Sequence, residues 1–529
     1  MSALVIIIPG AGENHPSTLE RANSLYSEMS SKTGCSRIIA LREDSSNETP
    51  AGLQEFAESR GISVSTHTIE RLDPSGFSGE EDQGTLWSEH MATIISNAGF
   101  AYDAPESYDF VIGPGSGWNT SLLAAIHSVI GGRIWASVRT SDGATQAIQV
   151  GHQMPDSEDS HSTIAAAGQL LLDWGEGPFE SLQLQGLVEG VPPTEGIENT
   201  FRKHIGTLVN KRSAEGGEVR FELTAEGRAR SMLALAEKWE PLRIKSGPKG
   251  MILAARHAQE ARETIEVVEY LKEQNAALNF DAYFVVVNKH GSNESELAES
   301  STAINESLSD YLASGDLVTM SGSFVDADKE LVNSHYDLLS LLHRLRAEHQ
   351  DVEWSIETSR FLNPLRSAAI LYAFGSGIDT FCLMKNPRKS EDGVFASGLS
   401  GEKHRFALPS KEKLDRMSEI LRTKSIHNAI FTAALAKDAN QPPSEPGTIL
   451  SAKLGAGELR MYEWNRKNLP SGHPMRWPEK SDQNQKKLMS ENRKTGIEKG
   501  AFVDTPELDF ILTPEGYAAA YLLFSEVVE

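Results

Sequence analysis

Short apolar runs and amphipathic stretches alternate along this chain. Residues 3–8 (Ala-Leu-Val-Ile-Ile-Ile) are apolar throughout and end at Pro9, which reads as a strand buried on both faces. Further strands are expected at 37–41, 62–69, 109–112 and 133–138, with helices at 16–29, 51–60, 87–98 and 118–130. The same alternation returns later. Strands are expected at 250–254, 282–288, 316–324, 352–356 and 378–384, and helices at 259–274, 297–313, 331–349 and 364–374. Strands separated by helices in this way predict a parallel sheet covered on both faces.

The two alternating regions are followed by segments of another kind. Helices are expected at 162–174, 179–188 and 194–212, the last starting after Pro192-Pro193. Gly216-Gly217 then suits a hairpin turn, 219–223 a strand, and Thr224 the cap of a closing helix. Later, helices are expected at 425–439, 448–454 and 482–499, a strand at 509–512, and a last helix opened by Thr513-Pro514-Glu515-Gly516. Three helices, a β-hairpin and a closing helix make a winged helix-turn-helix, whose third helix enters the DNA major groove.

Two internal matches order these parts. Residues 112–134 and 356–378 share seven of 23 positions, including Asn119/Asn363 and Ala124-Ala125-Ile126/Ala368-Ala369-Ile370. Residues 221–235 and 510–524 share seven of 15, around Leu-Thr-x-Glu-Gly. A duplicated two-domain unit is the simplest account. The expected fold class is α/β: two Rossmann-like parallel-sheet domains at 1–155 and 248–408, each followed by a winged helix-turn-helix domain, at 160–242 and 410–529. The second of these carries a basic, aromatic insertion.

In open parallel sheets, ligands bind beyond the carboxyl ends of the strands. Two loops fall there in the first copy: Gly10-Ala11-Gly12 after strand one, and Gly113-Pro114-Gly115-Ser116-Gly117-Trp118-Asn119 after strand four. Glycines let a ligand approach the backbone, and the following helix N-terminus offers N–H groups to an anion. Neither loop completes the dinucleotide fingerprint or a Walker A sequence. The candidate ligand residues are Gly10, Gly12, Gly115, Ser116, Gly117 and Asn119. In the second copy the glycines are gone, and Arg360 and Asn363 are the candidates, with Glu357 expected to repel an anion unless it pairs with Arg360.

Composition narrows the class. At 529 residues the chain has room for three or four domains. The formal net charge of −24 argues against indiscriminate coating of nucleic acid but leaves room for a local basic face. Residues 194–212 carry four basic and two acidic residues, and 458–499 carry ten and six. The candidate contacts to double-stranded DNA are Arg202, Lys203, Lys211, Arg212, Lys486, Lys487, Arg493 and Lys494. Tyr462, Trp464 and Trp477 interleave with Arg466, Lys467, Arg476 and Lys480, a pattern suited to nucleic acid. Two cysteines, Cys35 and Cys382, exclude a disulfide framework and a cysteine-built zinc site. No run approaches a membrane span and no basic leader precedes residue 3, so a cytoplasmic protein with no membrane partner is expected.

With these residues in view, the first copy resembles a CRISPR-associated Rossmann-fold (CARF) domain: strand one with its loop, then a Gly/Ser loop leading into an Ala-rich helix. The domain order resembles the CARF–winged-helix regulators of archaea. The resemblance implies a pocket between the two Rossmann-like domains for a cyclic oligonucleotide second messenger of the cyclic oligoadenylate kind. It also implies DNA-binding winged helices and transcription regulation. One chain would then supply the pseudo-dimer that the family builds from two, with a further homodimer left open. The strand-four loop here has no basic residue, unlike the family's, which leaves the ligand's identity open.

Dedicated chemistry is not evident. Some CARF proteins carry a ribonuclease with an Arg-x4-His pair, and Arg344 and His349 have that spacing, but in the helix before strand four of the second copy. No catalytic residue, metal ligand or cofactor is assigned. His127 is expected to be a surface or helix residue rather than a ligand. The alternative reading is a ring nuclease or other nucleotide-processing enzyme whose winged helices serve only assembly.

Overall fold

The computed structural model describes residues 2–8, 16–43, 48–69, 86–102, 107–112, 116–139, 145–152, 179–180, 209–213, 219–223, 225–237, 247–272, 279–290, 294–309, 318–326, 331–361, 363–385, 403–438, 456–473, 475–477, 482–504 and 510–524. Two six-stranded sheets carry the fold, and they share one strand order.

In the first sheet, β1 (Ser2–Ile8), β2 (Arg37–Arg42), β3 (Ser63–Thr68), β4 (Ser107–Ile112), β5 (Arg133–Arg139) and β6 (Thr145–His152) run in the order β3-β2-β1-β4-β5-β6. All neighbours are parallel except β5 and β6. Helices α1 (Pro16–Thr33), α2 (Ala51–Arg60), α3 (Leu86–Ala98) and α4 (Gly117–Ile130) connect the strands. Every residue of β1 is buried, because the strand sits between β2 and β4, with Val5 opposite both Ile39 and Phe110. Side chains alternate across a strand. Leu4, Ile6 and Ile8 accordingly share one core with Leu25, Tyr26 and Met29 of α1 and Leu53 of α2.

A tight turn joins α4 to β5. Gly132 has φ of 105°, and a Cβ there would stand 2.3 Å from the Tyr108 carbonyl oxygen. Only glycine fits that close approach.

The second sheet runs β12-β11-β10-β13-β14-β15. Its strands are β10 (Lys249–Ala255), β11 (Ala282–His290), β12 (Val318–Asp326), β13 (Glu353–Glu357), β14 (Asp379–Lys385) and β15 (Lys403–Ala407). Again only the last pair is antiparallel. Its helices are α6 (Ala258–Lys272), α7 (Glu294–Ser307), α8 (Leu331–Glu348) and α9 (Asn363–Ser376), following α5 (Ala225–Glu237). Alternation divides β10 between two cores. Ile252 and Ala254 pack with α8 and α9, and Met251, Leu253 and Ala255 with α6 and α7. Met232 and Ala236 of α5 also enter the first of these cores. The expected strands and helices of both α/β regions are present. The antiparallel edge strands β6 and β15 are additions.

A three-stranded sheet is made from β7 (Phe179–Glu180), β8 (Val209–Ser213) and β9 (Val219–Leu223), in the order β7-β9-β8. Two expectations are corrected here. Residues 179–180 begin no helix but form a strand on β9. The helix expected over 194–212 does not include 209–212, which pair antiparallel with β9. A β-branched start (Val209) opposite the alternating Val-Arg-Phe-Glu-Leu of β9 favours the hairpin.

The chain forms two compact units. One holds both six-stranded sheets and the three-stranded one. The other holds α10 (Lys411–Arg422, from Glu412 onward), α11 (His427–Asp438), α12 (Ala456–Asn468), α13 (Asp482–Glu498) and α14 (Pro514–Phe524). This second unit also takes in α3, from the middle of the first α/β region. Helix α3 packs on α14, Tyr102 N–H donates to the Leu522 carbonyl at 2.8 Å, and the Lys413 ammonium lies over the buried Trp87 ring. Within this unit Phe502 and Leu512 form an antiparallel bridge, and the Thr513 hydroxyl accepts from Gly516 N–H at 3.0 Å to cap α14. Among the described residues no helix is long and apolar enough to cross a membrane.

Candidate functional site

Both sheets reverse strand order between their first and fourth strands, β1/β4 and β10/β13. The crevice beyond the carboxyl ends of those strands is where such folds place ligands.

In the first half, Ser116 is the N-cap of α4 and accepts from Asn119 N–H at 3.3 Å. The structure brings these two predicted residues together, and both are held by a third that the sequence reading missed. Glu43 follows β2 and anchors its own N–H on the Ile8 carbonyl at 3.0 Å. Its buried carboxylate accepts from Ser116 N–H at 2.8 and 2.9 Å, Ser116 Oγ at 2.6 Å and Asn119 Nδ2 at 2.8 Å. Charge-assisted bonds and the positive end of a helix both favour a carboxylate there. The only sequence signal was an acidic residue at the carboxyl end of an apolar strand. Gly10, Gly12 and Gly115 lie outside the described residues.

In the second half, Glu357 ends β13 fully buried. Its Oε1 accepts from Ser359 N–H at 2.8 Å and Leu383 N–H at 3.2 Å, while Oε2 is buried without a hydrogen-bond partner among the described residues. Burial pushes this carboxyl above the ordinary carboxylate range, against the pull of those two bonds and the Arg360 charge. Thr358 Oγ1 and Cys382 Sγ are 3.0 Å apart. Burial pushes the Cys382 thiol up to about 12, so it stays protonated and is no nucleophile.

Arg360 does not turn to Glu357 as its closest acid. Its guanidinium reaches Glu260 at 4.0 Å and Glu263 at 3.7 Å on α6. Glu260 also holds Arg256, which ends the β10 turn, through backbone N–H at 2.8 Å and side-chain Nε at 2.9 Å. His257 stands 4.0 Å from the same carboxylate. Burial raises the Glu260 pKa, but Arg256 and His257 outweigh it and hold the group below the ordinary range. Arg256, His257 and Arg360 thus collect at the switch point of the second sheet, with side chains 59%, 60% and 40% exposed. Asn363 opens α9.

The halves meet at Arg366 in the first turns of α9. It is buried, and donates from Nε to the Thr358 carbonyl and from Nη2 to the Ser359 carbonyl, each at 3.2 Å. Its guanidinium lies against Gly117 at the start of α4. Burial lowers its pKa, and the charges of Cys382, Glu357 and Glu43 act in the opposite direction. Trp118 of α4 also meets Phe406 of β15 edge-on at 5.7 Å.

The DNA candidates are placed differently. Arg202 and Lys203 lie outside the described residues, and Lys211 and Arg212 lie on strand β8 rather than on a helix. Lys486, Lys487, Arg493 and Lys494 are on α13. Lys487 and Lys494 are exposed, 3.7 Å from Glu491 and 3.8 Å from Glu498. Arg493 is buried and donates to Asp504 at 2.9 Å, so it braces the turn after α13. Two of the insertion's aromatics are core: Tyr462 of α12 and Trp477 are both buried and stack on each other at 6.0 Å. His127 is buried within α4, Nε2 3.2 Å from the Gly132 carbonyl. Arg344 is exposed, and the His349 ring meets Trp354 edge-on.

No family model and no curated protein matches this sequence. Among solved structures, the chain is similar to a type III CRISPR defence DNA nuclease activated by cyclic oligoadenylate, at 9% identity over 75% of this chain and 67% of that one, with a TM-score of 0.32. It is similar to a Vibrio cholerae protein at 11% identity, over 65% and 98% of the two chains, with a TM-score of 0.19. It is also similar to Enterococcus italicus Csm6 bound to cyclic hexa-2′-fluoro-hexa-dAMP, at 11% identity over 70% and 91%, with a TM-score of 0.19. At such identities the function has to be read from this chain's own residues.

Proposed function

We propose that this chain senses a cyclic oligonucleotide of the cyclic oligoadenylate class, in a site built jointly by its two Rossmann-like halves, as a pseudo-dimer within one chain. One observation carries the reading. The two sheets share a strand order, and the helix after the fourth strand of each meets the other within one compact unit, Gly117 against Arg366. A phosphodiester ring seated at that junction would reach both halves. The Arg256, His257 and Arg360 side chains supply donors suited to phosphate.

The response is read out on double-stranded DNA. The helical unit supports this with α13 followed by the Phe502/Leu512 bridge and α14, the order of a winged helix-turn-helix. Lys487 and Lys494 on α13 are exposed basic residues. The chain then acts as a ligand-responsive transcriptional regulator, in which the ligand prefers one of two states that differ in DNA affinity.

Calorimetry of the full chain with cyclic tetra-adenylate and cyclic hexa-adenylate tests the first part, and a gel shift on its own promoter at low salt tests the second. Binding of one ring and a ligand-dependent shift are expected. No heat with either ring, or no shift with or without ligand, contradicts the reading. Appearance of linear products in the calorimeter cell places the chain among ring-cleaving enzymes instead.

A further inference from the structure

The two halves share a topology but not a charge. At the start of α4, Ser116 and Gly117 bring no cation of their own, and the guanidinium that lies against Gly117 is Arg366 of the second half, already donating to the Thr358 and Ser359 carbonyls. The seat that a phosphate would take at the α4 N-terminus is already filled. Glu43 brings a carboxylate there, and Ser116 N–H, Ser116 Oγ and Asn119 Nδ2 all donate to it. A second anion would have to displace a buried carboxylate from these donors or lie against its charge.

The second switch point is built the other way. Arg256, His257 and Arg360 come from the two loops that flank it, and all reach toward one carboxylate, Glu260. Glu260 is engaged chiefly by Arg256, through both its backbone and its side chain. Arg360 stands farther from its acids, at 4.0 Å from Glu260 and 3.7 Å from Glu263. These separations exceed a hydrogen bond, so an incoming phosphate oxygen offers Arg360 a shorter contact than it has.

We infer that the site is one-sided. The second half holds the phosphate of the ligand through Arg256, His257 and Arg360, and the first half excludes phosphate by seating Glu43 on Ser116 and Asn119. The inference rests on the sensing function proposed above and adds to it how the ligand is oriented. The first half faces a neutral part of the ligand, a base or sugar, so a ring with identical phosphates is gripped by one edge.

Inorganic pyrophosphate tests this without presuming the ring. Calorimetry of the full chain at physiological ionic strength, about 0.15 M, is expected to show one pyrophosphate per chain. Arg256→Ala with Arg360→Ala is expected to weaken it by about tenfold or more, as loss of charge-assisted bonds does. Glu43→Gln is expected to raise the stoichiometry to two. If Glu43→Gln does not fold, Glu43→Asp draws the carboxylate back by one methylene and is expected to admit the second anion weakly. Two pyrophosphates on the unaltered chain, none at all, unchanged binding after removal of both arginines, or one pyrophosphate still on the Glu43 variants would each overturn the inference. Pyrophosphate bound as expected, with no binding of cyclic tetra- or hexa-adenylate, would sink the ring-sensing reading and leave the division of charge standing.

Discussion

The guanidinium carbon of Arg366 stands 3.2 Å from the position that a Cβ on Gly117 would take. Gly117 opens α4 in the first Rossmann-like half, and Arg366 lies on α9 in the second. The guanidinium is tied on its far side to the Thr358 and Ser359 carbonyls, so it has little room to withdraw. Gly117→Ala is expected to cost about 1–2 kcal/mol of stability, the range for an overpacked junction. Urea denaturation measures it, and an unchanged midpoint would mean that the two helices are free to separate.

Glu357 gives the fold an acid-side preference. Its carboxyl is held above the ordinary range by burial, so the folded state keeps a proton that the unfolded state releases. Stability is therefore fully present below the ordinary carboxylate pKa and declines as pH rises above it. Glu357→Gln, which retains an acceptor for Ser359 and Leu383, is expected to remove that decline. The variant should match or exceed the parent at pH 8. A variant that is less stable at pH 8 than the parent would show that the charge is tolerated.

His343 works in the opposite direction. Burial, aided by the Arg346 charge, holds its pKa down at about 4. The unfolded state takes up a proton near pH 6.5 that the folded state refuses, so stability is lost as pH falls from about 6.5 to about 4. At 1.36 kcal/mol per unit the loss is up to roughly 3 kcal/mol. His343→Gln should flatten this part of the stability–pH curve while leaving the alkaline part in place. The same slope in both proteins would remove His343 as its source.

Asn465 is the polar hub of the helical unit. Fully buried, it donates to Thr432 Oγ1 at 2.7 Å and the Met475 carbonyl at 3.0 Å, and accepts from Trp477 N–H at 2.8 Å. Asn465→Ala would leave Trp477 N–H without its acceptor and the Met475 carbonyl without this donor, while the Thr432 hydroxyl keeps its bond to the Asn428 carbonyl, at a cost of about 2–3 kcal/mol. Thermal denaturation followed by tryptophan fluorescence reports it through Trp477. Loss of less than about 1 kcal/mol, the size of one ordinary hydrogen bond, would mean that water replaces the amide.

The sheets were legible because their strands are uniform. A run as apolar as β1 has few other ways to be buried, and β11 repeats the signal. The edge strands were not. Thr-Gln-Ala-Ile-Gln-Val-Gly-His in β6 and Lys-His-Arg-Phe-Ala in β15 are half polar, as a strand paired on one side can be. At the site, Ser116 and Asn119 were found from their glycine-rich loop, but Glu43 lies 73 residues from Ser116 and no local pattern links them. Arg256 and His257 were missed for a similar reason, because a weak strand precedes them. Within 458–499 the sequence did not show which basic and aromatic residues turn inward. Spacing could not tell that Tyr462 and Trp477 face each other, or that Arg493 turns inward to Asp504.

Native mass spectrometry of the full chain with cyclic tetra-adenylate and cyclic hexa-adenylate puts the joint site to its most direct test. Two halves that build one site bind one ring per chain, and Arg360→Ala reduces the bound fraction. Two rings per chain, as independent halves would take, or no ring of either size, would contradict the account.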